Sequence, residues 1–137
     1  MYADDDLDDL DLVQDAFSLY TKDVDVITAR NGSQALAFLS NLSPYDPMPC
    51  LVILDVNMPV LNGKEVLVRL REMDRFKDVP VVLFTTSSMP LDKNFALKYN
   101  AGFVTKPLDM KQMEIITDQF IEHCSEEIRK KIRKQIN

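Results

Sequence analysis

The stretch that decides the fold is CLVILDVNMP, residues 50–59. Apolar residues run without polar alternation from Cys50 to Leu54, and a carboxylate, Asp55, follows at once. A short, wholly apolar run of this kind is typical of a parallel strand covered on both faces. Asp55 could simply cap the turn that ends the strand. Alternatively, it lies at the carboxyl end of a buried strand, where open α/β sheets bind their ligands.

Outward from this stretch, apolar residues repeat alternately with the period of a strand and with the period of a helix. The pattern predicts strands over 23–29, 50–54, 79–86 and 102–105, and helices over 7–20, from Ser33, over 61–73 and 90–100, and from about Asp109 toward the end. Strands that alternate with helices predict an α/β fold with a mainly parallel sheet and helices on both faces.

Bulk properties exclude several classes of protein. The net charge of -6 argues against a general nucleic-acid binder. No apolar run is long enough to span a membrane, and no secretory signal is present, so a cytoplasmic location is expected. Cys50 and Cys124 lack metal-ligand spacing and are expected to be free thiols.

Three successive predicted strands end in chemically active side chains, Asp55, Thr85 and Lys106. In a parallel sheet these ends share one rim, which Asp4 and Asp5 join if the opening residues are the tail of another strand. Clustered carboxylates repel, and their oxygens suit Mg²⁺. With an ammonium and a hydroxyl nearby, such a site fits a phosphoryl group, which a carboxylate can accept. Each feature alone has an ordinary explanation. The acidic run could be a solvated terminus, the segment around Thr85 a loop, and Lys106-Pro107 a helix breaker. The prediction therefore rests on the order in which these features occur at the ends of successive strands.

These residues lie in segments that resemble the receiver domain of two-component response regulators, and the resemblance covers nearly the whole chain. The segments are ADDDLDD (3–9), VILDVNMPVLNG (52–63), VPVVLFTTSS (79–88) and AGFVTKPL (101–108). The resemblance implies a flavodoxin-like, doubly wound sheet of five parallel strands in the order 2-1-3-4-5, with five helices. The chain looks most similar to stand-alone receivers related to the cyanobacterial phytochrome response regulators.

For the metal site, the resemblance implies a role for each of four residues. Asp55 matches the phosphoacceptor. Asp5 matches the direct Mg²⁺ ligand, and Asp4 the acid that acts largely through water. Asn57 matches the residue whose backbone carbonyl binds the metal.

For the switch, the resemblance implies three further roles. Thr85 matches the hydroxyl that moves toward the phosphoryl group, and Lys106 the lysine that pairs with that group. Phe103 stands where the family has an aromatic ring that turns inward when the threonine moves. The family often makes the bond between Lys106 and Pro107 cis.

The chain departs from the family at its start. Only three residues precede Asp4, so the first strand, which is central in the implied order, is expected to be short or truncated. Residues 1–137 are otherwise predicted to form a single receiver domain with an extended last helix and no output domain, so that a partner protein must read the signal.

The predicted function is two-component signal transduction: transfer of a phosphoryl group from a histidine kinase or phosphotransfer protein to Asp55, followed by a conformational switch, without independent enzymatic activity. A degenerate receiver that acts only as a binding module is the alternative. A haloacid dehalogenase-type hydrolase also uses an aspartate nucleophile, but it needs a second acid where this chain has Asn57.

The tail, HCSEEIRKKIRKQIN (123–137), predicts a surface for self-association. Ile128, Ile132 and Ile136 fall four residues apart and form one stripe on a helix, which Ile121 and Cys124 extend backward. A receiver's final helix normally ends sooner, so the stripe is expected to lack cover from its own domain and to pack against a second copy.

Overall fold

The computed structural model describes residues 1–20, 24–109 and 112–131. Its five strands are Tyr2–Ala3 (β1), Thr28–Ala29 (β2), Val52–Leu54 (β3), Val81–Thr85 (β4) and Gly102–Thr105 (β5). They form one sheet in the order β2-β1-β3-β4-β5, and every neighbouring pair is parallel. The α/β fold and the strand order predicted from the sequence are therefore confirmed.

Six helices connect or follow the strands. They are Leu7–Phe17 (α1), Gly32–Ser40 (α2), Gly63–Glu72 (α3), Pro90–Lys98 (α4), Met113–Glu122 (α5) and Glu126–Lys131 (α6). Side-chain oxygens of Asp6, Asn31 and Asn62 accept hydrogen bonds from amides in the first turns of α1, α2 and α3 and fix where these helices begin. The cap of α2 is thus Asn31, two residues before the predicted Ser33.

The first strand is short, as predicted, yet it occupies the centre of the sheet. Both of its residues, Tyr2 and Ala3, are fully buried. The Tyr2 amide donates to the Ile27 carbonyl at 2.8 Å, and the Ala3 carbonyl accepts from the Asp55 amide at 3.0 Å. Hydrogen bonds on both sides of β1 therefore fix the chain that leads into the acidic residues.

Apolar layers cover both faces of the sheet. One layer packs residues of α2, α3 and α4 against the sheet, and the other packs residues of α1 and α5. In the second layer the rings of Phe84 and Phe120 meet edge to face, with centroids 4.9 Å apart. The wholly apolar sequence of β3 follows from this double cover.

The end of the chain differs from the prediction of one long last helix. α5 ends at Glu122, and α6 begins only at Glu126. Ser125 causes the new start, because its hydroxyl accepts from the Ile128 amide at 3.3 Å and its carbonyl from the Arg129 amide at 2.9 Å. The described residues thus contain six helices where the resemblance implied five.

Part of the predicted uncovered stripe is covered by the domain itself. Cys124 is buried, and Ile121 and Ile128 pack half-buried against the layer that contains α1 and α5. Ile121 and Cys124 thus lie toward the core, as predicted, whereas the expectation that the stripe lacks cover is wrong for Ile128. Ile132 and Ile136 lie outside the described residues.

Two further findings concern the backbone and the helices. The described residues contain no cis peptide bond, so the bond between Lys106 and Pro107 is trans and the cis form implied by the resemblance is wrong. Within the same residues, every helix is too short or too polar to cross a membrane.

Candidate functional site

The predicted side chains meet at the rim formed by the carboxyl ends of the strands. Asp4 follows β1, Asp55 follows β3, Thr85 ends β4 and Lys106 follows β5. The Lys106 amide donates to the Thr85 carbonyl at 2.7 Å, which continues the β4–β5 ladder up to the lysine. Asp4, Asp55 and Thr85 are all buried, so the polar groups of the rim face one another rather than solvent.

Three carboxylates at this rim form a candidate metal site. Asp4, Asp5 and Asp55 each offer one oxygen, and the three oxygens lie within 4.8 Å of one another. Asp4 and Asp55 are buried, whereas Asp5 is exposed. A set of hard oxygen donors with one side open to water fits Mg²⁺ or Mn²⁺, which keep several water ligands when bound.

Lys106 is the cation that links these acids. Its Nζ lies 2.7 Å from Asp4 Oδ2, 2.8 Å from Asp9 Oδ2 and 3.3 Å from Asp55 Oδ2. The ammonium also lies 5.5 Å from the centre of the Phe84 ring. Burial alone would lower the pKa of Lys106, but the hydrogen bonds to Asp4 and Asp9 outweigh it, so the pKa is raised and the side chain stays charged.

Asp4 is the most heavily engaged of the three acids. Its Oδ2 accepts from Lys106 and from the Tyr2 hydroxyl, the latter at 2.6 Å, and its Oδ1 accepts from the Asp6 amide at 3.0 Å. Burial and the neighbouring Asp4 raise the pKa of Tyr2, which therefore remains a donor. These bonds leave Asp5, rather than Asp4, as the acid with oxygens open to a direct metal bond.

Asp55 is held in an environment that disfavours its charge. Burial raises the pKa of Asp55 to about 7; Lys106 opposes this, and Asp4 adds to it. The Asn57 amide donates to Asp55 Oδ1 at 3.3 Å and orients the carboxylate. A cation or a phosphoryl group with its metal would relieve the repulsion between the two acids.

Gly63 lets α3 begin directly beside the candidate phosphoacceptor. Its amide donates to the Val56 carbonyl at 3.1 Å. A Cβ at this position would lie 2.2 Å from the Asp55 carbonyl oxygen, so no larger residue fits without moving the strand end. The glycine thus fixes the distance between α3 and the rim.

The loop after β4 is tied to a neighbouring helix. Thr85 Oγ1 accepts from the Ser87 amide at 3.3 Å, and the Ser87 hydroxyl donates to Asp92 Oδ2 at 2.5 Å. Asp92 in turn forms an ion pair with Lys64 of α3. This chain of bonds holds the Thr85 hydroxyl in its present orientation.

Phe103 lies in β5 at a distance from the acids, not in the rim itself. It pairs with Leu83 in the ladder and packs half-buried against the layer of α2, α3 and α4. It also lines an open groove of about 660 Å³, with Lys93, Leu97 and His123 among the other lining residues. The Phe103 residue therefore borders open space on one side and the apolar layer on the other.

Three participants were not predicted from the sequence. Asp9 lies in the first turn of α1, and its carboxylate reaches Lys106. The sequence assigned a role at the site to Asp4 and Asp5 only, and the acids after them were expected to be solvated. Tyr2 belongs to the short opening strand, and the sequence predicted no contact of its hydroxyl with the site. A buried tyrosine hydroxyl usually has a hydrogen-bond partner, which was the available signal. Asp92 and its ion pair join two helices, and no local sequence pattern indicates such a contact.

Comparisons with known proteins agree with this site and this fold. A family model described as response regulator receiver domain matches residues 1–118. The response regulator Rcp1 of Synechocystis sp. is 33% identical over 117 residues, which cover 82% of this chain and 79% of that protein.

Two solved structures are similar over most of their length. The crystal structure of the phosphorylated cyanobacterial phytochrome response regulator RcpA superposes with a TM-score of 0.79 at 26% identity, covering 90% of this chain and 94% of that chain. The Mn²⁺-bound form of Rcp1 superposes with a TM-score of 0.74 at 30% identity, covering 86% and 87%. The likeness to cyanobacterial phytochrome response regulators predicted from the sequence is confirmed.

Proposed function

This chain belongs to the response regulator receiver domains, which are phosphoacceptors rather than enzymes in the usual sense, and we propose that it accepts a phosphoryl group on Asp55. The donor is the phosphohistidine of a sensor histidine kinase or phosphotransfer protein. The observation that carries this proposal is the convergence of Asp4, Asp5 and Asp55, two of which, Asp4 and Asp55, also contact the ammonium of Lys106.

In the proposed transfer, a carboxylate oxygen of Asp55 attacks the phosphorus atom and the bond from phosphorus to the histidine nitrogen breaks. Mg²⁺, held by Asp4, Asp5 and Asp55 with the backbone carbonyl of Asn57, would neutralise the phosphoryl oxygens. Asp4 contributes mainly through water, because its own oxygens already accept three hydrogen bonds. The crystal structure of Rcp1 with Mn²⁺ supports a divalent cation in this class of site.

Together with Mg²⁺, Lys106 would neutralise the negative charge of the phosphoryl oxygens. Its ammonium is 3.3 Å from Asp55 Oδ2 before transfer and would bind an oxygen of the phosphoryl group afterwards. Its bonds to Asp4 and Asp9 aim the side chain across the rim, so little reorganisation is needed when the phosphoryl group arrives.

The proposed switch starts at Thr85. Its hydroxyl would turn to donate to a phosphoryl oxygen and would leave the Ser87 amide that it now accepts from. The space released beside β5 allows the half-buried Phe103 ring to turn inward. Phosphorylation thereby changes the surface next to β5 that a partner protein reads.

The decisive experiment is phosphorylation by a small phosphodonor with Mg²⁺, followed by mass spectrometry of the intact chain. The wild type should gain one phosphoryl group that survives acid and is lost in base, and Asp55→Asn should gain none. The matched control is Asp15→Asn, an exposed acid on α1, which should react like the wild type. An adduct of the same stability in Asp55→Asn would refute the assignment.

Other parts of the proposal concern the cell. A cytoplasmic location follows from a kinase partner whose phosphohistidine must reach the rim. The same assay with the phosphohistidine of candidate kinases as donor identifies the partner, because only the cognate kinase should label Asp55 within seconds to minutes.

A further inference from the structure

The two cysteines, far apart in sequence, are neighbours in the fold. Cys50 is exposed immediately before β3, and Cys124 is buried in the turn between α5 and α6. Their side chains line the same small cavity of about 40 Å³. This cavity lies at the amino end of β3, whereas the acidic rim lies at the carboxyl ends of the strands.

The surroundings give the two thiols different roles. Contact with Cys124 lowers the pKa of Cys50 in spite of its partial burial. The same contact and burial raise the pKa of Cys124. Cys50 is therefore the exposed and more acidic thiol, and Cys124 is the buried thiol beside it, an arrangement that suits an attacking and a resolving cysteine.

The walls of the cavity are mostly apolar. Apolar side chains of Phe17, Ile53 and Ile121 line the cavity together with the two cysteines. Burial shields the Cys124 sulfur from a second protein molecule, and the shared cavity keeps it beside Cys50.

We propose that Cys50 and Cys124 form a reversible disulfide within the chain when hydrogen peroxide oxidises Cys50. The Cys50 sulfur attacks the terminal peroxide oxygen, the oxygen–oxygen bond breaks, and the leaving hydroxide takes up a proton to become water. Cys124 then attacks the sulfur of the resulting sulfenic acid, the sulfur–oxygen bond breaks, and a second water leaves with the Cys124 proton. The two thiols lose two electrons to the peroxide, and a dithiol reductant restores them.

The disulfide would join the start of β3 to the turn that precedes α6. This link fixes α5 and α6 to the central strands at the end of the sheet remote from Asp55. The proposal does not depend on phosphorylation, because neither cysteine contacts the acidic rim.

The test is oxidation of the folded, full-length chain by hydrogen peroxide, then alkylation and mass spectrometry. The expected product is a monomer that has lost about 2 Da, the two thiol hydrogens. Trypsin should release peptides 31–64 and 112–129 joined by a bond that dithiothreitol cleaves. A disulfide-linked dimer, oxygen added to Cys50 without a cross-link, or two free thiols after treatment would each overturn the proposal.

Two controls separate a held pair from chance collision. Cys50→Ser and Cys124→Ala should each abolish the loss of mass. In concentrated urea, where the fold no longer holds the thiols together, the wild type should cross-link about tenfold more slowly or less. Equal rates in the folded and unfolded chain would overturn the proposal even if Cys124→Ala fails to fold.

Discussion

At the scale of single residues, Asp4 and Asp5 are adjacent in sequence but differ in what they do for the protein without metal. Asp4 is buried and accepts from Tyr2, Asp6 and Lys106, whereas Asp5 is exposed and adds negative charge beside Asp55. Removing the Asp4 carboxylate leaves the buried Tyr2 hydroxyl without its acceptor. Removing the Asp5 carboxylate only relieves its repulsion with Asp55.

We therefore expect opposite effects on stability from the two alanine variants. Asp4→Ala should lower the free energy of unfolding without metal by about 1–3 kcal/mol, because the buried Tyr2 hydroxyl loses its acceptor and Lys106 loses one of its three carboxylate partners. Asp5→Ala should raise it, yet should weaken Mg²⁺ binding more than Asp4→Ala does. Urea unfolding and Mg²⁺ titration test both points, with the exposed Asp11→Ala as control. Unchanged Mg²⁺ affinity in both variants would contradict the site.

Val60 carries backbone strain in the loop that follows Asp55. Its φ of 69° lies in the left-handed region, where a β-branched side chain is unfavourable, and its side chain is 85% exposed. Val60→Asn should raise the free energy of unfolding by about 1 kcal/mol, because asparagine tolerates this conformation. Tyr45→Asn, at an exposed loop position outside that region, should change it little. Urea unfolding measures both, and a loss of stability in Val60→Asn would show that the valine side chain contributes packing.

At the scale of elements, an ion pair joins α3 to α4. Lys64 pairs with Asp92, which also accepts from Ser87 in the loop after Thr85. Hydrogen bonds from Lys64 and Ser87 lower the pKa of Asp92, in spite of its burial. The pair therefore stabilises the fold above the unfolded-state pKa of about 4, and this contribution is lost as the pH falls through the lower folded-state value.

A double-mutant cycle measures this pair. Asp92→Asn and Lys64→Met should show a coupling energy of about 0.5–1 kcal/mol at neutral pH, which vanishes in acid. The control is the pair Lys130–Glu126 on α6, 3.6 Å long and about three-quarters exposed on both sides, which should couple more weakly. A coupling of equal size in the two pairs would mean that the link between α3 and α4 is no stronger than a surface pair.

Local patterns predicted most elements, and the differences have identifiable causes. The apolar runs located β3 and β4 because both faces of these strands are covered. β2 proved to be only Thr28–Ala29, because its one partner strand, β1, offers only Tyr2 and Ala3 for pairing. The break before α6 depends on one hydroxyl, that of Ser125, inside an otherwise helical pattern.

The long connection between α2 and β3 shows what a sequence pattern cannot supply. Arg75, far along the chain, donates to the carbonyls of Leu42, Ser43 and Asp46 and so holds this loop. Spacing along the chain carries no information on such a contact. At the site, in contrast, strand order alone brings the carboxyl ends of the parallel strands to one rim. The pattern of strands in the sequence therefore predicted that this rim would hold Asp4, Asp55, Thr85 and Lys106.

At the scale of the whole molecule, self-association remains a prediction. The stripe is covered by its own domain up to Ile128, so only 132–137, outside the described residues, offers the remaining isoleucines. Sedimentation of the intact chain and of a version ending at Ser125 at high concentration should show a dimer for the first and a monomer for the second. Monomers in both would refute a dimer through the tail.

The two-residue central strand has a consequence for how the chain folds during its synthesis. Tyr2 and Ala3 leave the ribosome before their partners Ile53 and Leu54, which follow about fifty residues later. A strand this short is not stable by itself, so Asp4 and Asp5 have no fixed position until the strand that precedes Asp55 is made. Lys106, the cation that balances them, emerges later still. A nascent chain that stalls before β5 therefore carries an uncompensated acidic cluster, and the last strand completes both the sheet and the charge balance of the rim.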